Sequence, residues 1–166
     1  MVHRLLQALP AIAPQQRAEA ARRHLGRAAS LLSPSERDSV AEQVCALLED
    51  QRFGELFGGG SRAEVPIVGR ITLESRTVAV AGQVDRLAVT AAGVLIADYK
   101  TDRAPPRRVA DVPEAYVRQL ALYREVLSFL YPGRPVRTLL VWTEVPDLME
   151  ISGELLDRAV AALTSP

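Results

Sequence analysis

The sequence predicts an α/β domain of the α+β kind. Three observations carry that reading: apolar residues fall at helical spacing before Gly58, the period changes after Glu64, and a near-continuous apolar run within residues 136–142 follows a long amphipathic stretch. A chain of 166 residues is the size of one domain. It reads as a helical part (1–57), a Gly-rich linker (58–63), a core (64–145) and a closing strand and helix (146–166).

Each element has a local cause. His3, Leu5, Leu6 and Leu9 open a short helical segment that Pro10 and Pro14 close. Residues 15–29 are rich in Ala and Arg, strong helix formers. Ser33-Pro34-Ser35-Glu36 reads as a capping box with proline at the first helical position, and Val40, Val44, Leu47 and Leu48 follow at helical spacing. Gly58-Gly59-Gly60-Ser61 breaks the pattern. Val65, Ile67, Ile71 and Leu73 then mark one strand, and Val78, Val80 and Val84 a second. Val94, Leu95 and Ile96 mark a third, reached through the turn Thr90-Ala91-Ala92-Gly93. Strands so closely spaced imply an antiparallel meander. Asp111 and Pro113 start a helix over residues 112–131, with Tyr116, Leu120, Tyr123 and Leu127 along one side and Pro132-Gly133 at its end. Val136, Leu139, Leu140, Val141 and Trp142 have the pattern of a strand buried on both faces, and a final helix covers 152–163.

Composition excludes several functions. Twenty basic side chains balance twenty acidic ones, and the basic set is nineteen Arg and a single lysine, Lys100. Lys100 follows Ala97-Asp98-Tyr99 and no Gly-rich turn, so the chain binds no nucleotide through a P-loop. One cysteine, Cys45, rules out an internal disulfide, a four-cysteine zinc site and a cysteine-ligated iron–sulfur cluster. No apolar run approaches the ~20 residues that span a membrane. Met1-Val2-His3-Arg4 leads into an amphipathic stretch and not into a signal peptide, so the expected location is the cytoplasm. The neutral total is unevenly distributed. Residues 100–137 carry eight basic and four acidic groups, including Arg103, Arg107, Arg108, Arg118 and Arg124, whereas residues 138–166 carry one and five. The basic block is where a phosphate backbone would pass.

The chemistry lies in Gly82-Gln83-Val84-Asp85-Arg86 and, a dozen residues on, Asp98-Tyr99-Lys100-Thr101. Side chains alternate along a strand, so Asp98 and Lys100 share one face and Tyr99 takes the other. Pairing the second and third strands through the turn near Ala92 sets Asp85 opposite the segment holding Asp98. Two carboxylates and an ammonium among Val, Leu and Ile are costly unless paired or ligating. A hard divalent cation with oxygen ligands, Mg²⁺ or Mn²⁺, suits two such carboxylates, with the Tyr99 backbone carbonyl as a further oxygen. Lys100 would then lie beside a metal-bound water, where it can orient a nucleophile and offset charge on a phosphorane-like transition state. The plainer reading of these residues is a structural Asp–Lys pair at a strand end.

Gly-x-x-Asp-Arg, then Asp-Tyr-Lys-Thr, then Gln119-x-x-x-Tyr123 on the next helix resembles the PD-(D/E)XK nuclease superfamily and, within it, the RecB-like branch. Residues 2–10, Glu64-Val65-Pro66-Ile67-Val68-Gly69 and the sequence around Asp98 further resemble the C-terminal nuclease domains of the AddA family of helicase–nucleases, which act with an AddB-like partner subunit in bacterial double-strand-break repair and recombination. The resemblance spans nearly the whole chain. It implies a restriction-endonuclease-like αβββαβ core, a mixed central sheet flanked by helices with a helical N-terminal portion. It also implies a Mg²⁺-dependent exonuclease acting on DNA, single-stranded and supplied by a helicase domain upstream in the same polypeptide. Asp85 and Asp98 match the metal-binding acids, Lys100 the catalytic lysine, and His3 a metal-ligating histidine on the first helix. Gln119 and Tyr123 match a pair that supports the site and contacts DNA. Glu64 matches an acidic position, and Arg86, Arg107 and Arg108 are candidates for support or DNA contact. The resemblance departs from the intact helicase–nuclease in lacking the helicase and its P-loop, so the sequence reads as an excised domain, a fragment or a stand-alone relative.

Other roles stand beside these. His3 near a chain end could be a surface residue, His24 is expected to face solvent, Gln119 and Tyr123 could be packing residues, and Trp142 is expected to pack in the core. The rival of a different class is a catalytically inactive nuclease fold that guides DNA or docks a partner subunit. Such relatives usually lose the acids or the lysine, and all three remain here. A sequence-specific restriction-like endonuclease lacks a visible major-groove reading element.

Overall fold

Proline and serine set the starts of the second and third helices. The computed structural model describes residues 1–73, 76–102 and 104–163. It divides at Gly59–Gly60 into two compact units, within the Gly-rich segment. The first unit holds α1 (Val2–Ala8), α2 (Pro14–Ala28) and α3 (Pro34–Glu49). Pro14 opens α2 at the position where a missing N–H costs nothing. Ser33 and Glu36 close the expected capping box on α3, each side chain answering the other's backbone N–H. The Arg17 guanidinium donates to the carbonyls of Leu9 and Ile12 at 3.2 and 3.0 Å, tying the turn after α1 to α2. His24 is half-buried on α2, with its Nε2 shielded, and not solvent-facing as its sequence context suggests. An Ala/Arg-rich helix gives no apolar stripe from which to place it.

The second unit is a mixed five-stranded sheet in the order β1 (Ser61–Leu73), β2 (Arg76–Thr90), β3 (Gly93–Lys100), β4 (Val136–Trp142), β5 (Asp147–Ile151). β1–β2–β3 form the expected antiparallel meander, β4 joins β3 in parallel, and β5 returns antiparallel. A parallel pair needs a crossover, and α4 (Glu114–Leu130) provides it, followed after β5 by α5 (Gly153–Ala162). This αβββαβ order is consistent with a restriction-endonuclease-like fold.

β1 starts at Ser61 and not at Glu64, so the linker ends three residues early. Ser61 and Arg62 show no apolar alternation, but they pair with Ala88 and Leu87 of the long β2. The hairpin at residues 91–92 works because Gly93 has φ 151°, and a Cβ there would stand 2.5 Å from the Pro135 carbonyl oxygen. α4 lies close on the β1–β2 pair at two other glycines. A Cβ at Gly69 would meet Val126 at 2.8 Å, and one at Gly82 would run into the Tyr123 hydroxyl. Leu120, Tyr123, Val126 and Leu127 of α4 form one apolar cluster with Ile67, Val84, Ile96 and Trp142 from the sheet. Among the described residues, no helix is long and apolar enough to cross a membrane.

Candidate active site

β3 is buried from Gly93 to Tyr99, yet it carries two charges at its end. Val94 and Ile96 face the cluster under α4, and the two-residue period sends Asp98 and Lys100 the same way. Asp98 is 6% exposed, and its Oδ2 lies 2.5 Å from Lys100 Nζ. Water is largely excluded from both groups, so the pair is held by direct Coulombic contact and each member depends on the other. Lys100 has a second neighbour: its Nζ sits 3.7 Å from the centroid of the Tyr116 ring on the first turns of α4.

Asp85 reaches the same segment from β2. The β2–β3 pairing runs from Thr90↔Gly93 to Arg86↔Ala97, and the next step is made by a side chain. Asp85 Oδ2 accepts the Tyr99 backbone N–H at 2.6 Å. The two acids and the lysine singled out in the sequence are therefore brought to one strand end.

The sheet is irregular at this point. The β1–β2 ladder passes from Ala63↔Arg86 to Val65↔Val84, leaving out Glu64 and Asp85 together, and Glu64 has φ 53°. On β2 the apolar cluster takes Val80 and Val84 and then Leu87, so inward-facing residues change from even to odd across Asp85–Arg86. The strand changes face at the acid. A non-glycine residue in the left-handed region is uncommon, and such positions gather at functional sites. The Glu64 carboxylate accepts from the Gln83 amide.

Because of that change Arg86 points away from α4. It is 3% exposed, donating from Nε to the Tyr99 hydroxyl at 3.1 Å and from Nη1 to Ser61 Oγ at 2.8 Å. Burial pushes the Tyr99 phenol well above its ordinary pKa, opposed by the Arg86 charge, so the phenol stays neutral. Arg86 thus supports β3 from behind. On α4, Gln119 Nε2 donates to the Tyr123 hydroxyl at 3.3 Å, one helical turn on. Both line an open hollow with Ala79, Ala81 and Arg118.

The basic residues separate into two groups. Arg107 and Arg118 are exposed, and exposed Arg108 forms a two-pronged pair with Asp111. Arg124 is engaged by Glu125, Asp157 and the Gly153 carbonyl. Arg103 lies outside the described residues. His3 is half-buried on α1 in the first unit. Trp142 is fully buried, as expected of a packing residue, and its ring lies 6.3 Å from that of Tyr116. The sequence places Tyr116 only in the helix's apolar stripe; the signal for its second role is that it falls one helical step before Gln119.

Among the described residues no three His, Cys, Asp or Glu side chains stand together at metal-binding spacing. The second unit supplies a carboxylate pair. Its donor chemistry fits a hard divalent cation: Asp98 is a buried carboxylate with Lys100 at contact distance, and Asp85 is fixed at the same strand end by the Tyr99 N–H.

The profile of the PD-(D/E)XK nuclease superfamily matches residues 1–159. No curated protein matches. Among solved structures the chain is similar to one titled "Crystal structure of SSO0001", at 13% identity and a TM-score of 0.39, over 86% of this chain and 70% of that one. A likeness at that level carries no argument. The profile, by contrast, spans both units and the strand end where Asp85, Asp98 and Lys100 meet, and members of that superfamily are usually nucleases that use divalent metal ions; this chain belongs to the PD-(D/E)XK nuclease superfamily.

Proposed function

We propose that this chain is a Mg²⁺- or Mn²⁺-dependent deoxyribonuclease of the RecB-like branch, hydrolysing single-stranded DNA as the nuclease domain of an AddA-like helicase–nuclease. The reading includes a helicase upstream in the same polypeptide, an AddB-like partner subunit, and double-strand-break repair and recombination in the bacterial cytoplasm. One observation carries it: Lys100 stands 2.5 Å from Asp98 while Asp85 is bonded to the residue between them. A purely structural ion pair has no use for the second carboxylate or for the interrupted ladder opposite it.

Asp85 and Asp98 would hold the metal, with the Tyr99 carbonyl as a further ligand. Such an ion, if held by these residues, would supply a water of lowered pKa and Lewis-acid polarisation of a phosphate oxygen. The Lys100 ammonium, with three donors, keeps one toward Asp98 and turns the others to the attacking oxygen and the phosphate, offsetting charge as the phosphorus–oxygen bond breaks. Gln119 and Tyr123 line the hollow where the DNA backbone would run, and Glu64 steadies β1 through Gln83. Incubating the chain with end-labelled single-stranded DNA tests the reading. Cleavage with Mg²⁺ or Mn²⁺ that chelation stops is expected. DNA that binds but stays intact at saturating Mn²⁺ would instead support the inactive guiding or docking module.

DNA binding is also expected to be electrostatic. By fluorescence anisotropy, affinity for a single strand falls as salt rises. Arg107→Ala makes that dependence shallower by about 0.7 in the slope of log K against log salt, the value of one phosphate neutralised on a single strand. Arg108→Ala weakens binding less, because Asp111 already competes for its guanidinium. Affinity independent of salt would contradict this.

A further inference from the structure

We infer that Tyr116 is a positioning residue for the Lys100 ammonium, a role that rests on the nuclease reading of that lysine. The Lys100 side chain leaves the end of β3 with Asp98 as its ionic partner, and a flexible four-carbon stem allows its Nζ many positions within reach of that carboxylate. The Tyr116 ring removes that freedom. Its centroid is 3.7 Å from Nζ, well inside the distance at which a cation is attracted to an aromatic face.

The ring is itself held on two sides. Trp142, the register partner of Lys100 on β4, is fully buried and lies 6.3 Å away, tilted by 49°. The Tyr116 hydroxyl donates to Asp102 at 3.4 Å, joining the start of α4 to the chain just beyond Lys100. A carboxylate on one side and a ring on the other confine the ammonium. A ring attracts a cation without adding a negative charge, so the ammonium keeps its positive charge for substrate, which a further carboxylate would neutralise.

Lys100 is the only lysine in the chain, so one isotope-labelled lysine reports on it alone. In labelled wild-type protein the Lys100 ε-methylene protons are expected upfield of an exposed lysine's, shielded by the ring face. The shift is retained in Tyr116→Phe and abolished in Tyr116→Leu. In cleavage assays Tyr116→Phe keeps kcat within about threefold, while Tyr116→Leu loses about 10²-fold in kcat with KM little changed, as a misplaced catalytic group does. A Lys100 signal unmoved in Tyr116→Leu, or a loss confined to KM, would overturn the proposal. A wild-type chain that cleaves nothing would sink the nuclease reading instead, and the resonance position would still decide where the ring holds Lys100.

Discussion

Lys100→Met is expected to lower metal-dependent DNA cleavage by about 10³-fold, the scale of removing a preorganised donor to transition-state charge. It is also expected to cost stability. The side chains of Asp98 and Lys100 are 8% and 13% exposed, so removing the ammonium leaves a buried carboxylate without its ion partner, at about 3 kcal/mol. Methionine keeps the apolar stem against Tyr116 and limits the loss to the charge. The two effects separate in the double variant Asp98→Asn, Lys100→Met. There the unfolding midpoint in urea recovers toward the wild type while cleavage remains absent. Full cleavage by Lys100→Met would refute the assignment. A double variant no more stable than Lys100→Met would show that the pair contributes no buried charge coupling.

Gly82→Ala should carry the second large effect, although glycine to alanine within a strand usually helps. The added Cβ would run into the Tyr123 hydroxyl and stand 2.8 Å from the ring carbon that bears it. Tyr123 is 7% exposed on a helix packed against Ile67, Val84 and Val80, so the ring cannot swing into solvent without drawing α4 off the sheet. Overpacking of this kind costs about 1–3 kcal/mol. The displaced hydroxyl also gives up the Gln119 amide, so cleavage falls along with stability. Shortening the obstruction with Tyr123→Phe in the Gly82→Ala background relieves the nearest clash, and part of the missing stability returns. A Gly82→Ala protein with wild-type stability would mean that α4 has slack at this crossing.

Much of this was legible in the sequence. Period-two runs marked β1 and β2, three consecutive apolar residues after a turn marked β3, proline and glycine bracketed α4, and a near-continuous apolar run marked β4, because each signal is local. The shared face of Asp98 and Lys100 follows from alternation alone, and Asp85 comes to the same strand end because a two-residue hairpin fixes the β2–β3 register. The rest depends on tertiary partners. Ser61 and Arg62 are strand residues only because β2 is long enough to pair with them. For Arg86 the sequence leaves support and DNA contact both open, and its bonds to Tyr99 and Ser61 exist only once the chain is folded. Arg124 is claimed by Asp157, thirty-three residues away. Tyr116 looks like any member of an apolar helix stripe, since nothing in its own segment shows that an ammonium ends beneath it.

The face change at Asp85 has a consequence for anyone redesigning the sheet. β2 cannot be treated as one strand of fifteen residues, because a rule for choosing inward residues that is right at Val80 and Val84 is wrong at Leu87. Transplanting a regular hairpin from another protein would restore uninterrupted alternation, and a one-residue change of phase turns every side chain beyond it to the opposite side. Either the apolar half would turn outward or Asp85 would be carried away from Asp98. The defect in the pleat is what lets one strand serve a hydrophobic layer and an acidic site in succession.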